Sequence, residues 1–184
     1  MPETSGILVL VVGPSGAGKD SVMRGAAEKL VGNPRYVFPR RVVTRQADTV
    51  AEDHDSMSEA EFALALARGE FMLFWQAHGN HYGIPKCVAD QITAGHVAVI
   101  NVSRHILHVA AKSYPHLVIA EVTADADIRI ARIQNRGREL ADDATKRAFR
   151  ETPPFPPDIK VIRIENNGAV EDAVAAFTDS LRLL

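Results

Sequence analysis

A glycine-rich segment that ends in a lysine holds the residue types and the spacing with which this chain could handle phosphate. The segment reads Gly13-Pro14-Ser15-Gly16-Ala17-Gly18-Lys19-Asp20-Ser21. In the pattern Gly-x4-Gly-Lys, glycines let backbone N–H groups surround an anion, and the lysine reaches the β- and γ-phosphates of a nucleotide. The segment therefore predicts an ATP-phosphate site over residues 13–21, in which Lys19 is a catalytic cation.

The residue after the lysine departs from the usual phosphate-binding loop, in which a serine or threonine helps to hold Mg2+. Here Asp20 takes that position and Ser21 follows it. A carboxylate is a good ligand for a hard cation, so Asp20 and Ser21 are the metal candidates. The sequence leaves open whether Asp20 would contact Mg2+ directly or through a water molecule.

The segments on either side of the glycines supply the setting that such a loop needs. Residues 7–12 are all apolar, which is typical of a strand buried on both faces. Residues 21–30 contain good helix formers and no proline, which predicts a helix. A plain glycine-rich turn is the alternative, but strand, loop, lysine and helix in this order favour phosphate binding.

A second group of residues with catalytic potential is a set of arginines in the last third of the chain. Its members are Arg129, Arg132, Arg136, Arg138 and Arg147. Arg132 and Arg136 share one face of a helix. A solvated charged face is the ordinary interpretation of such a run. Beside a phosphate loop we favour a mobile lid over ATP, with Arg132, Arg136 and Arg147 as catalytic cations on the γ-phosphate.

Three further arginines, Arg40, Arg41 and Arg45, lie where an acceptor phosphate would dock. A planar guanidinium suits phosphate oxygens. Because side chains alternate along a strand, Arg41 and Arg45 share one face and Arg40 lies on the other. All three cannot face one ligand, and Arg45 is the first choice as an acceptor residue.

The composition bears on the class of protein and its partners. The chain has 184 residues, a net charge of −2 and one cysteine, so we expect neither a strong attraction to nucleic acid nor an internal disulfide. No apolar run approaches the length of a membrane span. We therefore expect a cytoplasmic protein whose partners are small molecules, with no nucleic acid and no membrane among them. The sequence leaves a homodimer open.

Strands alternate with helices along most of the chain, which predicts an α/β fold: a parallel sheet flanked by helices, with ligands beyond the carboxyl ends of the strands. Residues 36–95 break this alternation and suggest an inserted acceptor-binding lobe. Within it, residues 36–44 look like an edge or irregular strand and residues 78–83 like a turn. The prediction is a single domain over 1–184. Its parts are a core of 5–35, 96–134 and 151–184, an acceptor lobe of 36–95, and a short arginine-rich lid of 135–150.

These motifs resemble those of guanylate kinases, a branch of the P-loop nucleoside monophosphate kinases, over nearly the whole chain. The likeness rests on residues 13–19, Thr44-Arg45, His78-Gly79-Asn80-His81-Tyr82-Gly83 and Arg136-Gly137. In that family the inserted lobe clamps the acceptor and the arginine segment is the lid, so the resemblance implies a P-loop kinase fold that uses ATP and Mg2+. It also suggests Tyr82 as an acceptor-phosphate residue, with a place in the core of the lobe as the alternative.

The departures from guanylate kinases are more informative than the likeness. In that family, certain residues bind the phosphate, others read the guanine, and an aspartate ends one strand. The corresponding residues here are Asp48, His54, Leu73, Ile84 and Asn101. Leu73 and Ile84 stand where a glutamate and a hydroxyl residue read the guanine. A pocket without those polar groups should not select that base.

The same departures resemble a sister family, the ribose 1,5-bisphosphate phosphokinases of bacterial phosphonate catabolism. The shared segments are Gly18 to Ser21, Thr44-Arg45, Asn101 with Ser103-Arg104, and Asn135 to Glu139. This resemblance implies transfer of the γ-phosphoryl group of ATP to the 1-phosphate of ribose 1,5-bisphosphate, giving 5-phosphoribosyl 1-diphosphate (PRPP) and ADP. We expect Arg41 and Arg104 to hold the second phosphate. The alternatives are a guanylate or other nucleoside monophosphate kinase, and a non-catalytic interaction module, which the intact loop disfavours.

Overall fold

The structure, a computed structural model, describes residues 6–45, 54–77, 79–135 and 153–184. The strands in these ranges are β1 (Ile7–Val12), β2 (Tyr36–Val37), β3 (Arg41–Val43), β4 (His54–Ser56), β5 (Phe71–Ala77), β6 (Asn80–Pro85), β7 (Val97–Asn101), β8 (Leu117–Thr123) and β9 (Lys160–Glu165). The helices are α1 (Lys19–Lys29), α2 (Glu59–Ala67), α3 (Cys87–Thr93), α4 (Leu107–Ser113), α5 (Ala126–Asn135) and α6 (Val170–Arg182), with a 3-10 turn at Arg104–Ile106.

Five strands form the main sheet in the order β2-β7-β1-β8-β9, and every neighbouring pair is parallel. Alternate residues of β1 face opposite sides: Val9 and Val11 pack with α1 and α6, whereas Leu8 and Leu10 pack with α3 and α4. Burial on both faces explains why these strands are continuous apolar runs in the sequence. The parallel order brings the carboxyl ends of β1, β7, β8 and β9 to one edge, where ligands bind in such sheets.

A second, smaller sheet has the order β4-β3-β6-β5, in which β3 and β4 are parallel and the other pairs antiparallel. Helix α2 packs on it through Phe62, whose ring stacks on Phe71 with centroids 4.6 Å apart. A capping box starts α2: the Ser58 hydroxyl accepts from the Glu61 N–H, and the Glu61 carboxylate accepts from the Ser58 N–H. Hydrogen bonds from the Ser58 hydroxyl and from its backbone N–H lower the pKa of Glu61.

The parallel sheet with helices on both faces confirms the predicted α/β architecture. Several details of the sequence prediction were wrong. Helix α1 begins at Lys19 and not at Ser21, because Gly18 already turns the chain into the helix. Residues 36–44 are two strands, β2 and β3, in different sheets. Of the segment 78–83, predicted as a turn, residues 80–83 are strand, since β6 begins at Asn80 and pairs with β5.

The division into core, lobe and lid stays a prediction, although the sheets bear on its boundaries. The sequence predicts that the lobe starts at residue 36, whereas β2 at that position pairs with β7 of the main sheet. Of the predicted lid, residues 135–150, only Asn135 lies within the described residues. None of the helices in the described ranges is long and apolar enough to cross a membrane.

Candidate active site

The phosphate loop, residues 13–18, joins the end of β1 to the start of α1 at the carboxyl edge of the main sheet. Gly18 has a left-handed conformation with φ 86° and is the N-cap of α1. The Lys19 ammonium lies back over the loop, where it donates to the carbonyls of Gly13 at 2.9 Å and Pro14 at 3.2 Å. The helix N-terminus and the lysine thus bring positive charge to the same loop, as anion binding requires.

At two positions of this loop, both the backbone conformation and the close approach of neighbouring atoms disfavour any residue other than glycine. Gly16 has φ 80°, and a β-carbon there would overlap the backbone of Arg129 in α5. A β-carbon at Gly18 would overlap the side-chain amide of Asn166. A larger residue at either position would be strained and would push the loop away from its neighbours. The loop is therefore fitted against two elements that come much later in the chain.

Asn166, directly after β9, is a site residue that the sequence analysis does not identify. Its side chain is buried, and Nδ2 donates to the carbonyl of Ala17 at 2.8 Å. Its backbone N–H donates to the carbonyl of Thr123, at the end of β8, at 2.8 Å. Asn166 therefore ties the phosphate loop to the ends of two strands. A signal for it exists in the sequence, since a polar residue that ends a parallel strand lies at the ligand-binding edge.

The carboxylate of Asp20 is held by an amide from the neighbouring strand. Asn101, the last residue of β7, donates from Nδ2 to Asp20 Oδ1 at 2.7 Å. Ser21 follows in the same helical turn and is partly exposed. Within the described ranges, no group of three or more His, Cys, Asp and Glu residues could hold a metal ion. A single carboxylate beside a phosphate loop nevertheless suits Mg2+, which proteins often bind through one or two carboxylates and the phosphates of a substrate.

Two predicted acceptor residues, Arg41 and Tyr82, meet between the sheets. The Arg41 guanidinium lies 5.6 Å from the centroid of the Tyr82 ring, and its Nη1 is 3.4 Å from the carbonyl of Asn101. On the lobe, the Tyr82 ring stacks on Trp75 with centroids 5.2 Å apart. Tyr82 is 8% exposed, so its ring packs in the lobe, and its contact with the acceptor phosphate stays a prediction. Arg41 is the residue that reaches from the lobe to the edge of the main sheet.

The other two arginines near residue 40 have different surroundings. Arg45 follows β3, and its backbone carbonyl accepts from the Ser56 hydroxyl at 2.9 Å. Arg40 is bound at the edge of the lobe, where Nη2 donates to the carbonyl of His54 at 2.8 Å and Nε pairs with Asp55 at 3.3 Å. Arg40 and Arg41 therefore have separate partners, as strand alternation predicts. Arg41 and Arg45 are the acceptor candidates of this group.

Arg132 is the predicted lid arginine that falls within the described residues. Its Nη1 lies 3.5 Å from the carbonyl of Gly16, so the guanidinium borders the phosphate loop. Arg129, one turn earlier in α5, is buried and packs its backbone on the same glycine. Arg136 and Arg147 lie outside the described residues. Helix α5 therefore delivers a guanidinium to the loop before the predicted lid begins.

Arg104, predicted to hold the second phosphate, is engaged by protein groups. Its Nη1 pairs with Glu121 at 3.2 Å, and its guanidinium lies 3.8 Å from the centroid of the Phe155 ring. Arg163 pairs with the second carboxylate oxygen of Glu121 at 3.5 Å. A substrate phosphate at Arg104 would have to share it with Glu121. The predicted role of Arg104 therefore stays a prediction that competes with a structural role.

Leu73 of β5 and Ile84 of β6 are paired across the smaller sheet. They occupy the two positions at which the sequence predicts the loss of polar groups that read a base. They are 4% and 0% exposed. Both belong to the apolar cluster that includes Leu8 and Leu10 of the main sheet. Side chains of this kind offer a nucleobase no hydrogen-bond donor or acceptor.

No protein-family model matches the chain. Among curated relatives, a Methylobacterium radiotolerans protein named ribose 1,5-bisphosphate phosphokinase is 44% identical over 177 residues, covering 96% of this chain and 98% of that protein. A Cupriavidus pinatubonensis protein named bifunctional ribose 1,5-bisphosphokinase-thymidine phosphorylase is 44% identical over 180 residues. That match covers 98% of this chain, which spans 30% of the length of the bifunctional relative.

A solved structure of guanylate kinase from Anaplasma phagocytophilum is similar in fold, with a TM-score of 0.67. The superposition covers 100% of this chain and 87% of that one at 18% sequence identity. At this identity the likeness concerns the fold alone, and it identifies the fold as that of a P-loop kinase.

Proposed function

The chain belongs to the ribose 1,5-bisphosphate phosphokinase family, and from that membership we propose its reaction. It transfers the γ-phosphoryl group of ATP to the 1-phosphate of ribose 1,5-bisphosphate, and the products are PRPP and ADP. The proposed context, from the resemblance, is phosphonate catabolism and PRPP synthesis. A small-molecule kinase of this kind needs no nucleic acid or membrane partner.

This phosphoryl transfer requires mainly that the enzyme position the two substrates and stabilise negative charge. An oxygen of the 1-phosphate forms a bond to the γ-phosphorus, and the bond from that phosphorus to the bridging oxygen of ADP breaks. A phosphate monoester is largely dianionic at neutral pH, so the attacking oxygen carries no proton that a base must remove. The enzyme has to hold two anions in line and neutralise the charge between them.

The phosphate loop and the cations around it are suited to the ATP half of this task. In the proposal, backbone N–H groups of residues 16–21 and the ammonium of Lys19 hold the β- and γ-phosphates. Arg132, which borders Gly16, stabilises charge on the transferring group, together with Arg136 and Arg147 of the predicted lid.

Asp20 is the proposed protein ligand of Mg2+, with Ser21 as the second candidate. Asp20 and Ser21 would hold Mg2+ beside the phosphates of ATP, where the ion would supply positive charge against the negative charge that develops in the transfer. Asn101 keeps the carboxylate at the mouth of the loop through its 2.7 Å hydrogen bond.

The acceptor half is proposed to use Arg41, Arg45 and Tyr82, with Arg104 as a further candidate for the second phosphate. Forked guanidinium groups hold phosphate oxygens at two points. Arg41 is best placed among them, because its contact with the Asn101 carbonyl puts it between the lobe and the phosphate loop.

The single observation that carries the choice of acceptor is the buried pair Leu73 and Ile84. Polar residues at these two positions would be needed to read a guanine, whereas this chain fills them with core side chains. A site built on hydrogen bonds discriminates between ligands by large factors, and an apolar site cannot recover that selectivity for a base. A sugar bisphosphate, which offers phosphates and no base, fits the groups that remain.

ADP release measured with each acceptor separately tests the proposal. With ATP and Mg2+ we expect rapid ADP formation in the presence of ribose 1,5-bisphosphate and only background release with GMP, AMP or CMP. Brisk turnover of any nucleoside monophosphate, with no response to the sugar bisphosphate, would establish the nucleoside monophosphate kinase alternative. Lack of ATP binding altogether would favour a non-catalytic module.

A further inference from the structure

The pair Asp20 and Asn101 reverses the usual distribution of charge around a phosphate loop. In many P-loop enzymes a neutral serine or threonine follows the lysine, and a separate aspartate helps to hold Mg2+. Here the aspartate follows Lys19. One of the two strands next to β1 is β7, and it ends in the neutral amide of Asn101.

The backbone fixes the position of Asn101 relative to the loop. Asn101 is paired with Val11 in the register of β7 and β1. The N–H of Val102 donates to the carbonyl of Val11 at 3.1 Å. Because Val11 lies just before the phosphate loop, the amide of Asn101 is delivered to the first turn of α1 by strand pairing. Its 2.7 Å hydrogen bond with Asp20 is thus a contact between two rigid elements.

We propose that the metal carboxylate of this site has moved from the neighbouring strand to the phosphate loop, so that Asp20 is the Mg2+ ligand and Asn101 positions it. The inference rests on the proposed kinase function and adds the assignment of two roles to it. A hydrogen bond to one oxygen restricts rotation of a carboxylate and leaves its second oxygen for a cation. Residues that orient metal ligands in this way typically contribute about 10- to 100-fold to metal affinity.

If this exchange of roles is correct, moving the carboxylate from residue 20 back to residue 101 should preserve Mg2+ binding. Asp20→Ser alone removes the carboxylate that Asn101 positions. Asp20→Ser combined with Asn101→Asp restores one carboxylate and returns the site to the usual arrangement. Asn101→Ala keeps the ligand and removes only its positioning partner.

The test measures the affinity for the non-hydrolysable analogue adenylyl imidodiphosphate by calorimetry, with and without Mg2+, in wild type and these three variants. Mg2+ should strengthen binding to wild type. We expect the gain in affinity that Mg2+ gives to be smaller than in wild type by about 10-fold or more in Asp20→Ser and by about 10-fold in Asn101→Ala. The double variant should regain most of the wild-type gain. Glu28→Ser, which removes an exposed carboxylate from the far end of α1, is the charge-matched control and should behave as wild type.

The outcomes separate this inference from the function on which it rests. If wild type binds the analogue and Asp20→Ser keeps the full Mg2+ enhancement, or if the double variant stays as weak as Asp20→Ser, the exchange of roles is wrong and the kinase proposal stands. If wild type does not bind the analogue even with Mg2+, both are wrong. Melting curves of each variant show which proteins are folded, and Asn101→Ala provides a test that adds no charge.

Discussion

Arg41 of the smaller sheet reaches the carbonyl of Asn101 at the end of β7, with Nη1 3.4 Å from the oxygen. Asn101 in turn donates from its side-chain amide to Asp20, in the first turn of α1 after the phosphate loop. One asparagine therefore lies between the proposed acceptor arginine and the proposed metal ligand. The acceptor phosphate must meet the γ-phosphate in line. We therefore expect the acceptor site and the ATP site to meet near Asn101.

Arg41→Ala should raise the KM for ribose 1,5-bisphosphate by roughly 10- to 100-fold, since a charge-assisted hydrogen bond to phosphate is lost. The KM for ATP should change much less. Arg40→Ala is the matched control, because Arg40 is occupied by His54 and Asp55 at the lobe edge. Initial rates at varied acceptor concentration provide the measurement. Equal shifts in the two variants would remove Arg41 from the acceptor site.

Arg104→Ala distinguishes the two roles open to Arg104. A structural role, through the ion pair with Glu121 and the contact with the Phe155 ring, predicts a loss of stability of about 1–3 kcal/mol and an acceptor KM close to wild type. Urea unfolding and steady-state kinetics measure the two quantities on the same protein. A stable variant with a strongly raised KM for the sugar bisphosphate would instead identify Arg104 as the ligand of the second phosphate.

Asn166→Leu should weaken ATP binding and destabilise the protein. The carbonyl of Ala17 would lose its donor, and an unsatisfied buried polar group costs about 1–3 kcal/mol. Asn167→Ala is the neighbouring control, because Asn167 is exposed and its side-chain oxygen accepts from the N–H of Asp125. Calorimetric titration with ATP compares the variants. If Asn166→Leu binds ATP as tightly as Asn167→Ala does, Asn166 does not support the loop.

Leu73→Ala should cost about 2–5 kcal/mol of stability, as expected for a buried leucine, and should confer no activity on GMP. Leu64→Ala, at a position that is 58% exposed, should change stability by no more than about 0.5 kcal/mol. Chemical unfolding gives both values. A small cost at Leu73, or a gain of GMP binding on truncation, would mean that Leu73 lines a base pocket.

Glu61→Gln should reduce stability at neutral pH but have little effect in acid. The hydrogen bonds from Ser58 lower the pKa of Glu61 in the folded state. A lowered folded pKa gives stability that is present above the unfolded pKa and is lost as the pH falls through the folded pKa. Glu59→Gln, in the same first turn, controls for helix charge. Melting curves across pH measure the difference in stability between Glu61→Gln and wild type. If that difference did not shrink on acidification, the ionised Glu61 carboxylate would not stabilise the start of α2.

The sequence predicts the local parts of the site well and the assembled parts poorly. Residues 7–30 contain the signals for strand, loop and helix within one stretch, and the bounds of α1 lie within two residues of the predicted helix at 21–30. Asn101 and Asn166 meet this loop through the order β7-β1-β8-β9, which no local pattern specifies. Tyr82 shows the same limit, since its segment has the composition of a turn and becomes a strand by pairing with β3 and β5.

The most direct test offers ATP and Mg2+ to the protein together with equal amounts of ribose 1,5-bisphosphate and GMP, and follows the products by phosphorus NMR. The proposed reaction predicts the coupled signals of a diphosphate on carbon 1 of the sugar, formed in step with ADP, while GMP remains unchanged. Formation of GDP with the sugar bisphosphate left intact would contradict it.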